Sequence, residues 1–238
     1  MDVGEWQALK DVPQALTREV TDVVFEWPIP NSITMLQIET NPNLPWAEDH
    51  FQERVSGIPY NPPPSHEWWP HAQASNEEHR KFERFSHTYP ERFWPRAALK
   101  DRGREPVGIR YRYGDLTDVV SLLQRSPFTR QAYLPVWFPE DTGAHHGERV
   151  PCTLGYHFLL RDDRLSCRYF IRSCDFLRHF RDDVYMAARL TQWVAWELPG
   201  DIQIGNLVMV IGSLHIFDGE QSTLETADNE YDISAYAG

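Results

Sequence analysis

The sequence predicts an α+β domain built on a mixed β-sheet that is flanked by helices. Patterns typical of strands and of helices are interleaved along the chain, without the regular alternation of a parallel α/β sheet. A hydrophobic content of 41% is enough for a sizeable core, and 238 residues suit one domain that spans residues 1–238.

The first third of the chain alternates short apolar stretches with proline-rich connections. Residues 46–55 are predicted to be helical. Residues 58–64 contain four prolines, which fix φ and remove backbone donors, and they therefore predict an ordered loop. The charged residues 76–85 have the polarity of a solvated helix face.

In the second half, a helix is predicted to begin after Asp115, which can cap it. Its apolar residues follow the i, i+3, i+4, i+7 spacing of one helix face: Leu116, Val119, Val120 and Leu123. Residues 132–138 then show the alternation of a strand, with a bulge or a sheet edge at Pro135.

The remaining elements follow from similar patterns. Residues 154–160 and 165–172 are strand-like, and the polar residues 161–164 between them predict a hairpin. Residues 183–197 are rich in Ala, Leu and Trp and predict a helix, and the mostly apolar residues 202–216 predict a final strand.

Charge and cysteine usage exclude several classes of protein. The net charge of −12 argues against a surface that coats nucleic acid, although a few arginines in one pocket can still bind a small anion. The longest apolar run, residues 207–211, is too short to span a membrane, and residues 1–5 do not resemble a signal peptide. Three cysteines, an odd number, indicate free thiols in a reducing compartment, so a cytoplasmic protein is expected. No metal site is predicted.

The three cysteines are the candidate nucleophiles. Cys167 sits in the middle of a predicted strand, where packing is its expected role, and Cys174 comes at a strand end. Cys152 stands just before a strand and follows Pro151, which fixes the approach of the chain. A reactive cysteine also needs nearby cationic groups that stabilise its thiolate.

Four short fragments follow one another along the chain: Arg-Val-Pro-Cys at 149–152, Leu-Ser-Cys at 165–167, Arg-Ser-Cys-Asp at 172–175 and Gly-Ser-Leu-His-Ile-Phe at 212–217. Their order resembles the active-site series of the thymidylate synthase family. The similarity runs from about residue 115 to residue 217. It implies the fold of that family, in which two copies pair sheet to sheet as a homodimer.

The resemblance implies a covalent mechanism that begins at Cys152. Its thiolate would add to carbon 6 of a pyrimidine nucleotide, which makes carbon 5 nucleophilic toward the one-carbon unit of 5,10-methylenetetrahydrofolate. Arg172 and Ser173 fall on the phosphate-binding pair, and Asp175 falls on an aspartate that orders the folate and water. His215 matches a histidine that binds a sugar hydroxyl.

Two departures from the family concern the phosphate and the sugar. Residues 126–130 resemble the arm that the partner subunit contributes to the phosphate site, with Arg130 acting in trans, but Gln131 replaces a second arginine. Phe217 replaces the tyrosine that follows the histidine in the family, so CMP is a candidate substrate beside dCMP. Arg18 is the candidate for the arginine of the N-terminal phosphate loop.

The base-reading asparagine of the family falls on Asp183. An asparagine matches uracil with one donor and one acceptor, whereas a carboxylate presents only acceptors. These suit the amino group of cytosine and the proton that nitrogen 3 gains after thiolate addition. This exchange marks the deoxycytidylate hydroxymethylase branch. Asp182 is the alternative if the register slips by one residue, although a helix-capping role suits Asp182 better.

Matches in the first hundred residues are weaker. Residues 89–94 resemble a loop at the active-site wall, and Trp68 and Trp69 resemble tryptophans that line the folate pocket. Glu48 is the candidate for the glutamate that organises the catalytic water, and Glu53 is its competitor. Solvated carboxylates and core rings are the alternative interpretations of these side chains.

The sequence therefore predicts a pyrimidine-nucleotide 5-hydroxymethylase acting on CMP or dCMP. After tetrahydrofolate leaves, the exocyclic methylene intermediate of the family would take up water, with Glu48 and Asp175 handling that water. The alternatives are a thymidylate-synthase-like methylase, a dUMP-specific hydroxymethylase and a non-catalytic nucleotide-binding homologue.

Overall fold

The computed structural model describes residues 7–8, 16–71, 80–81, 84–105, 114–142 and 149–217. The predictions for residues 1–5, 76–79 and 82–83 lie outside these ranges. Eight strands are described: β1 (Gln7–Ala8), β2 (Leu16–Pro28), β3 (Arg80–Lys81), β4 (Arg84–Phe85), β5 (Tyr133–Pro135), β6 (Thr153–Arg161), β7 (Arg164–Asp175) and β8 (Gln203–Phe217).

The large sheet is mixed, as the sequence predicted. Six strands lie in the order β1-β2-β8-β7-β6-β5, and β3 and β4 form a separate small hairpin. Strands β7 and β8 run parallel, and every other neighbouring pair of the large sheet runs antiparallel. The connection between β7 and β8 is a helix, as a parallel crossover requires.

Six α-helices and two short 3-10 helices surround the sheet in the described ranges. The α-helices are α1 (Ile33–Thr40), α2 (Trp46–Val55), α3 (Tyr89–Phe93), α4 (Pro95–Asp101), α5 (Leu116–Arg125) and α6 (Phe180–Trp196). The 3-10 helices are Pro64–Trp68 and Pro139–Asp141.

Several predicted elements are confirmed, and local interactions explain where they begin or turn. Helix α2 has the predicted bounds. Asp115 begins α5 in a capping box with Asp118, whose carboxylate accepts the Asp115 amide at 3.0 Å. The β6–β7 hairpin turns at Asp162 and Asp163, whose φ angles of 48° and 54° are those of a tight type I′ turn.

Other predictions need correction. The strand predicted over residues 132–138 is described only over Tyr133–Pro135, because the amides of Val136 and Trp137 both donate to the Leu154 carbonyl oxygen and break the ladder. The helical prediction for residues 76–85 is wrong for 80–81 and 84–85, which pair as strands. The Asn61 side chain there binds both the amide and the carbonyl oxygen of Phe85, as a neighbouring strand would. Helix α6 begins three residues before the predicted position 183.

The core lies between α6 and one face of the large sheet. Helix α6 is buried along most of its length, and Thr191 in its centre contacts Cys167 of β7. The buried residues of β8 on this face are Leu207, Met209 and Ile211. Alternate side chains on the opposite face, such as Phe170, are half-buried. None of the helices in the described ranges is long and apolar enough to cross a membrane.

Candidate active site

A pocket of about 450 Å³ opens where β7 and β8 end beside the start of α6. The register of the two parallel strands pairs Asp175 of β7 with His215 of β8 at this edge. Seven of the ten residues predicted for the site line the pocket: Cys152, Arg172, Ser173, Asp175, Asp183, His215 and Trp69. The other three, Glu48, Trp68 and Arg130, are not among the lining residues.

Cys152 lies in the pocket wall immediately before β6. The amide of Arg172 donates to the Cys152 carbonyl oxygen at 2.9 Å and fixes the backbone. The Arg172 guanidinium donates to the carbonyl oxygens of Pro151 at 2.9 Å and Val150 at 3.3 Å, and its Nη2 lies 4.0 Å from Cys152 Sγ. The cation that a reactive thiol needs is therefore held beside it.

The three cysteines differ in their surroundings. Burial raises the pKa of Cys152, Arg172 opposes this rise, and Asp183 adds to it. Burial raises the pKa of Cys167 to about 12 and that of Cys174 further still. Of the three, Cys152 is the thiol in contact with a guanidinium, so it is the best-placed nucleophile.

Asp183 lies in the first turn of α6 with its carboxyl group in the pocket wall. Cys174 Sγ donates to Oδ2 at 3.6 Å, and the Tyr169 hydroxyl donates to Oδ1 at 3.5 Å. Burial raises the pKa of Asp183 to about 7, against the opposing charge of Arg54 and with the repulsion of Asp182. The carboxyl group therefore gains and loses its proton near neutral pH.

Asp182 has a different role from its neighbour. It is almost fully buried and accepts hydrogen bonds from the Asn43 amide at 2.8 Å and the Asn43 side chain at 2.7 Å. The helix-cap position belongs to His179, so the capping role predicted for Asp182 is wrong. Its carboxylate instead ties the loop before α2 to α6.

A line of hydroxyl groups joins β6, the strand that follows Cys152, to Asp183. Thr153, the residue after Cys152, has its Oγ1 2.8 Å from the Tyr169 hydroxyl and 3.1 Å from the Tyr89 hydroxyl. Tyr89 belongs to the segment that the sequence placed at the active-site wall, and it lines the pocket as the first residue of α3. The guanidinium of the buried Arg54 lies 4.1 Å from the centre of its ring.

Four arginines give the pocket the positive charge that a phosphate requires: Arg54, Arg149, Arg172 and Arg178. The sequence reasoning missed Arg178, although it lies only three residues after Asp175. The Arg178 amide donates to Asp175 Oδ1 at 3.0 Å, and its guanidinium lies 4.8 Å from the centre of the Phe217 ring. Phe217 in turn meets His215 edge to face at 5.7 Å.

Aromatic rings form another wall of the pocket. Trp69 stacks on His179 at 5.8 Å and meets Trp46 at 6.0 Å. Its Nε1 is buried and makes no hydrogen bond with the described part of the chain. Trp68 points elsewhere: it is 46% exposed and donates to Asp49 Oδ2 at 3.2 Å.

Glu48 lies on the side of α2 that faces α6 rather than the pocket. Its carboxylate accepts hydrogen bonds from Arg189 at 2.9 and 3.0 Å and from the Tyr185 hydroxyl at 2.5 Å. Burial would raise the pKa of Glu48, but these bonds outweigh it and lower the pKa. The structure therefore does not bring Glu48 together with Cys152 and Asp175.

The same helix presents a histidine to the pocket that the sequence reasoning missed. Trp46, His50 and Arg54 all line the pocket, and they recur every four residues along one face of α2. Glu53, the competitor of Glu48, binds His50 Nδ1 at 3.1 Å. The sequence signal for His50 was its spacing of four residues from Trp46, which places both side chains on one face of α2. Position 48 falls on the opposite face.

Two predicted phosphate-binding arginines lie away from the pocket of their own chain. Arg130 is exposed at the end of the loop after α5, where its carbonyl oxygen lies 3.0 Å from His157 Nε2. Phe128 in the same loop is 70% exposed. Arg18 lies on β2 opposite Ile216 of β8 and is not among the lining residues.

Comparison with known proteins agrees with this geometry. Residues 79–230, more than half of the chain, match thymidylate synthase. The chain belongs to the thymidylate synthase family. Members of this family are folate-dependent one-carbon transferases, and the mixed sheet with flanking helices is consistent with the family's fold.

The chain is also similar to one bifunctional relative. It is 29% identical over 108 residues to the bifunctional dihydrofolate reductase-thymidylate synthase of Paramecium tetraurelia. The similar region covers 45% of this chain and 22% of that protein, so the chain spans less than a quarter of the relative's length.

Proposed function

We propose that the protein is a pyrimidine-nucleotide 5-hydroxymethylase. It transfers a one-carbon unit from 5,10-methylenetetrahydrofolate to carbon 5 of CMP or dCMP and adds water. The observation that carries this proposal is a carboxyl group, Asp183, in the same pocket as Cys152, the proposed nucleophile, and Arg172, the proposed phosphate ligand. The family match supports the one-carbon transfer, and Asp183 supports the choice of base.

The reaction begins when the Cys152 thiolate adds to carbon 6 of the base. Arg172 lies beside the sulfur and favours the thiolate over the thiol. The same pocket offers Ser173 and Arg178 to the nucleotide phosphate. Binding of the phosphate therefore positions the base beside the thiolate.

Asp183 recognises cytosine through its proton. In the substrate, nitrogen 3 is an acceptor and the amino group is a donor, which match a protonated carboxyl group. The pKa of about 7 makes that protonated form available. After Cys152 has added, the proton moves to nitrogen 3, and the Asp183 carboxylate then faces two donors of the base.

Uracil fits the same carboxyl group less well during the reaction. Thiolate addition places negative charge on oxygen 4 of uracil, which would face a second negative charge whenever Asp183 is ionised. A mismatch of this kind costs about 1–3 kcal/mol in a buried site. Because the penalty develops in the transition state, it discriminates through the rate as well as through binding.

The described residues fit a flat donor such as a reduced folate. Trp69 provides an aromatic face and a buried N–H that has no partner among the described residues, and His179 and Trp46 extend the wall. Methylenetetrahydrofolate supplies the carbon atom that becomes the hydroxymethyl group. In this proposal Trp69 and Asp175 orient the donor, whereas Trp68 points away from the pocket.

Completion of the reaction needs ordered water and a proton acceptor. Asp175 lies in the pocket with its carboxylate bound by the Arg178 amide, and we assign it the positioning of water. A catalytic role for Glu48 stays a prediction, and it would require Glu48 to leave Arg189 and Tyr185.

A homodimer that pairs the outer faces of two sheets completes the site in this proposal. Phe170 and Tyr133 lie together on that face, with ring centres 6.4 Å apart, and Tyr133 is 40% exposed. The Nη1 of Arg168 on the same face is buried and has no hydrogen-bond partner in the described ranges. The exposed Arg130 would then bind the phosphate in the partner's pocket.

The test is a product assay with CMP, dCMP, UMP and dUMP, each supplied with methylenetetrahydrofolate. A cytidine nucleotide that gains one CH₂O unit in mass supports the proposal, and the better of CMP and dCMP identifies the sugar. A gain of one CH₂ unit would indicate a methylase, and turnover of dUMP alone a uracil-specific enzyme. Tight nucleotide binding without any product would indicate a non-catalytic homologue. Cys152→Ala is the control for chemistry at the thiol.

A further inference from the structure

His50 is a buried histidine whose ring orientation is set by a carboxylate. Its Nδ1 lies 3.1 Å from Glu53 Oε2 and 3.2 Å from Ser65 Oγ. Glu53 is itself held, because its carboxylate accepts the Ser65 amide at 2.6 Å and the Ser65 hydroxyl at 2.5 Å. Trp46 stacks on the histidine ring with centres 5.4 Å apart and planes 14° apart.

This arrangement selects one tautomer of His50. Nδ1 carries the proton, since it faces the Glu53 carboxylate, and Nε2 is then an acceptor. Nε2 makes no hydrogen bond with the described part of the chain, while the ring lines the pocket. A carboxylate that orients an imidazole in this way is the recurring architecture of a general base.

The position of His50 decides which proton it can take. One side of the ring contacts Trp46, which belongs to the aromatic wall that suits the carbon donor. The His50 ring also meets Tyr89 edge to face at 6.5 Å, and the Tyr89 hydroxyl is hydrogen-bonded to Thr153, the neighbour of Cys152. His50 therefore lines the pocket next to both the tryptophan wall and Tyr89, whose hydroxyl leads to the neighbour of Cys152.

We propose that the His50–Glu53 pair is the proton acceptor for the water that completes the hydroxymethyl group. In this assignment His50 is the catalytic residue, because its Nε2 would take the water proton, and Glu53 and Ser65 are positioning residues. The inference rests on the proposed function and assigns a step of it. It replaces Glu48, whose carboxylate is bound to Arg189 outside the pocket.

The step balances without an oxidant or a reductant. In the adduct, carbon 6 is bonded to Cys152 and carbon 5 carries an exocyclic methylene. The water oxygen bonds to the methylene carbon, one water proton passes to His50 Nε2, and the double-bond electrons move toward nitrogen 3, which takes the Asp183 proton. The bond from carbon 6 to sulfur then breaks, the ring double bond re-forms, Asp183 regains its proton, and His50 releases its proton to the thiolate or solvent.

The charges around the ring are compatible with this role. Burial and the positive charge of Arg54 lower the pKa of His50 to about 4, whereas Glu53 raises it. The ring is therefore neutral at pH 7 and keeps its lone pair. The attacking water becomes strongly acidic as its bond to carbon forms, so an imidazole with a lowered pKa can accept the proton. His66 is the other titratable group that acts on the ring.

The kinetic test separates the early and late steps in His50→Gln. Release of tritium from carbon 5 of a labelled cytidine nucleotide reports the steps before water addition. Measured over a single turnover, or with added thiol that traps the methylene as a thioether and frees Cys152, tritium release should stay within about threefold of wild type, while hydroxymethyl product falls on the order of 10²-fold. Product formation that keeps pace with tritium release would overturn the assignment, as would equal loss of both in a folded variant.

Two comparison variants keep the result interpretable. Glu53→Gln retains a hydrogen-bond acceptor for Nδ1 but removes the charge, so its product rate should fall and its pH profile should shift, with tritium release unchanged. Glu48→Gln should leave the ratio of product to tritium release as in wild type. A lowered ratio of product to tritium release in Glu48→Gln alone would instead make Glu48 the proton acceptor for the water.

A spectroscopic readout does not depend on turnover. Nitrogen-15 NMR of histidine-labelled protein should show His50 as the neutral Nδ1–H tautomer, and Glu53→Gln should perturb that signal. An Nε2–H tautomer would refute the dyad even if His50→Gln failed to fold. Wild-type protein that releases no tritium from any cytidine nucleotide would instead refute the proposed function, which distinguishes the two failures.

Discussion

The guanidinium of Arg172 lies 4.0 Å from the thiol of Cys152, and two backbone carbonyls hold it there. These carbonyls belong to Pro151 and Val150, the residues that lead into Cys152, the proposed nucleophile. The position of the charge is therefore built into the turn that presents the thiol. Burial works in the opposite direction and raises the pKa of Cys152.

Replacing Arg172 tests this electrostatic support directly. In Arg172→Gln the thiol pKa should rise further, and iodoacetamide should alkylate Cys152 roughly three- to tenfold more slowly at neutral pH. Arg172→Lys keeps the charge but loses the paired carbonyl contacts, so its alkylation rate should lie between those of wild type and Arg172→Gln. Peptide mass analysis distinguishes Cys152 from the buried Cys167 and Cys174. An alkylation rate that is the same in Arg172→Gln would show that the guanidinium does not stabilise the thiolate.

Asp183→Asn should change the preferred base. The amide offers one donor and one acceptor, which match uracil throughout the reaction. We expect the ratio of kcat/KM for cytidine and uridine nucleotides to shift toward uridine by roughly 10- to 100-fold. The measurement is the competition between CMP and UMP, or dCMP and dUMP, for tritium release. An unchanged ratio would mean that another residue reads the base.

Asp183 should also make stability depend on pH. Its pKa is about 7 in the folded protein, above that of an unfolded aspartate, so the folded state binds its proton more tightly. The resulting stabilisation is complete below the unfolded pKa of about 4 and is lost as pH rises through about 7. The difference in melting temperature between Asp183→Asn and wild type should therefore increase in favour of the variant as pH rises to that value. Above it, the difference should stay constant. A difference that is already complete at acidic pH would contradict the raised pKa of Asp183.

The Glu48–Arg189 ion pair should matter for stability. Arg189 is 3% exposed and Glu48 26% exposed, so Glu48→Ala leaves a buried charge without its carboxylate. We expect a loss of about 3 kcal/mol in the free energy of unfolding, measured by urea denaturation. Glu39→Ala, an exposed position on α1, should change it by less than about 0.5 kcal/mol. Equal effects of the two substitutions would remove the structural role of Glu48.

A shared site predicts complementation between two inactive variants. If Arg130 acts across a dimer, mixing Cys152→Ala with Arg130→Ala should restore about a quarter of the wild-type activity after subunit exchange. The reason is that one site of each mixed dimer combines an intact thiol with an intact partner arginine. Sedimentation of the mixture checks that dimers form. Absence of any recovery in a confirmed mixed dimer would place Arg130 outside the site.

Much of the fold was predictable because its signals are local. The spacing of apolar residues after Asp115 predicts α5, and the alternation on either side of residues 161–164 predicts the β6–β7 hairpin. Helix α2 was recovered with its bounds. The predictions that failed depend on distant partners: the side chain of Asn61 holds Phe85 in an extended conformation, and Leu154 receives two amides where β5 ends.

The sequence by itself determined the family and predicted Cys152 as the nucleophile, because Cys152, Arg172 and His215 lie in ordered fragments that can be recognised without a structure. The tertiary structure alone decided which side chains meet. Glu48 and His50 share one helix, but a separation of two residues sends them to opposite faces, one to Arg189 and the other to the pocket. Side-chain direction in a helix follows its rotation about the axis, and the identity of the neighbour on each face depends on packing that no local pattern records.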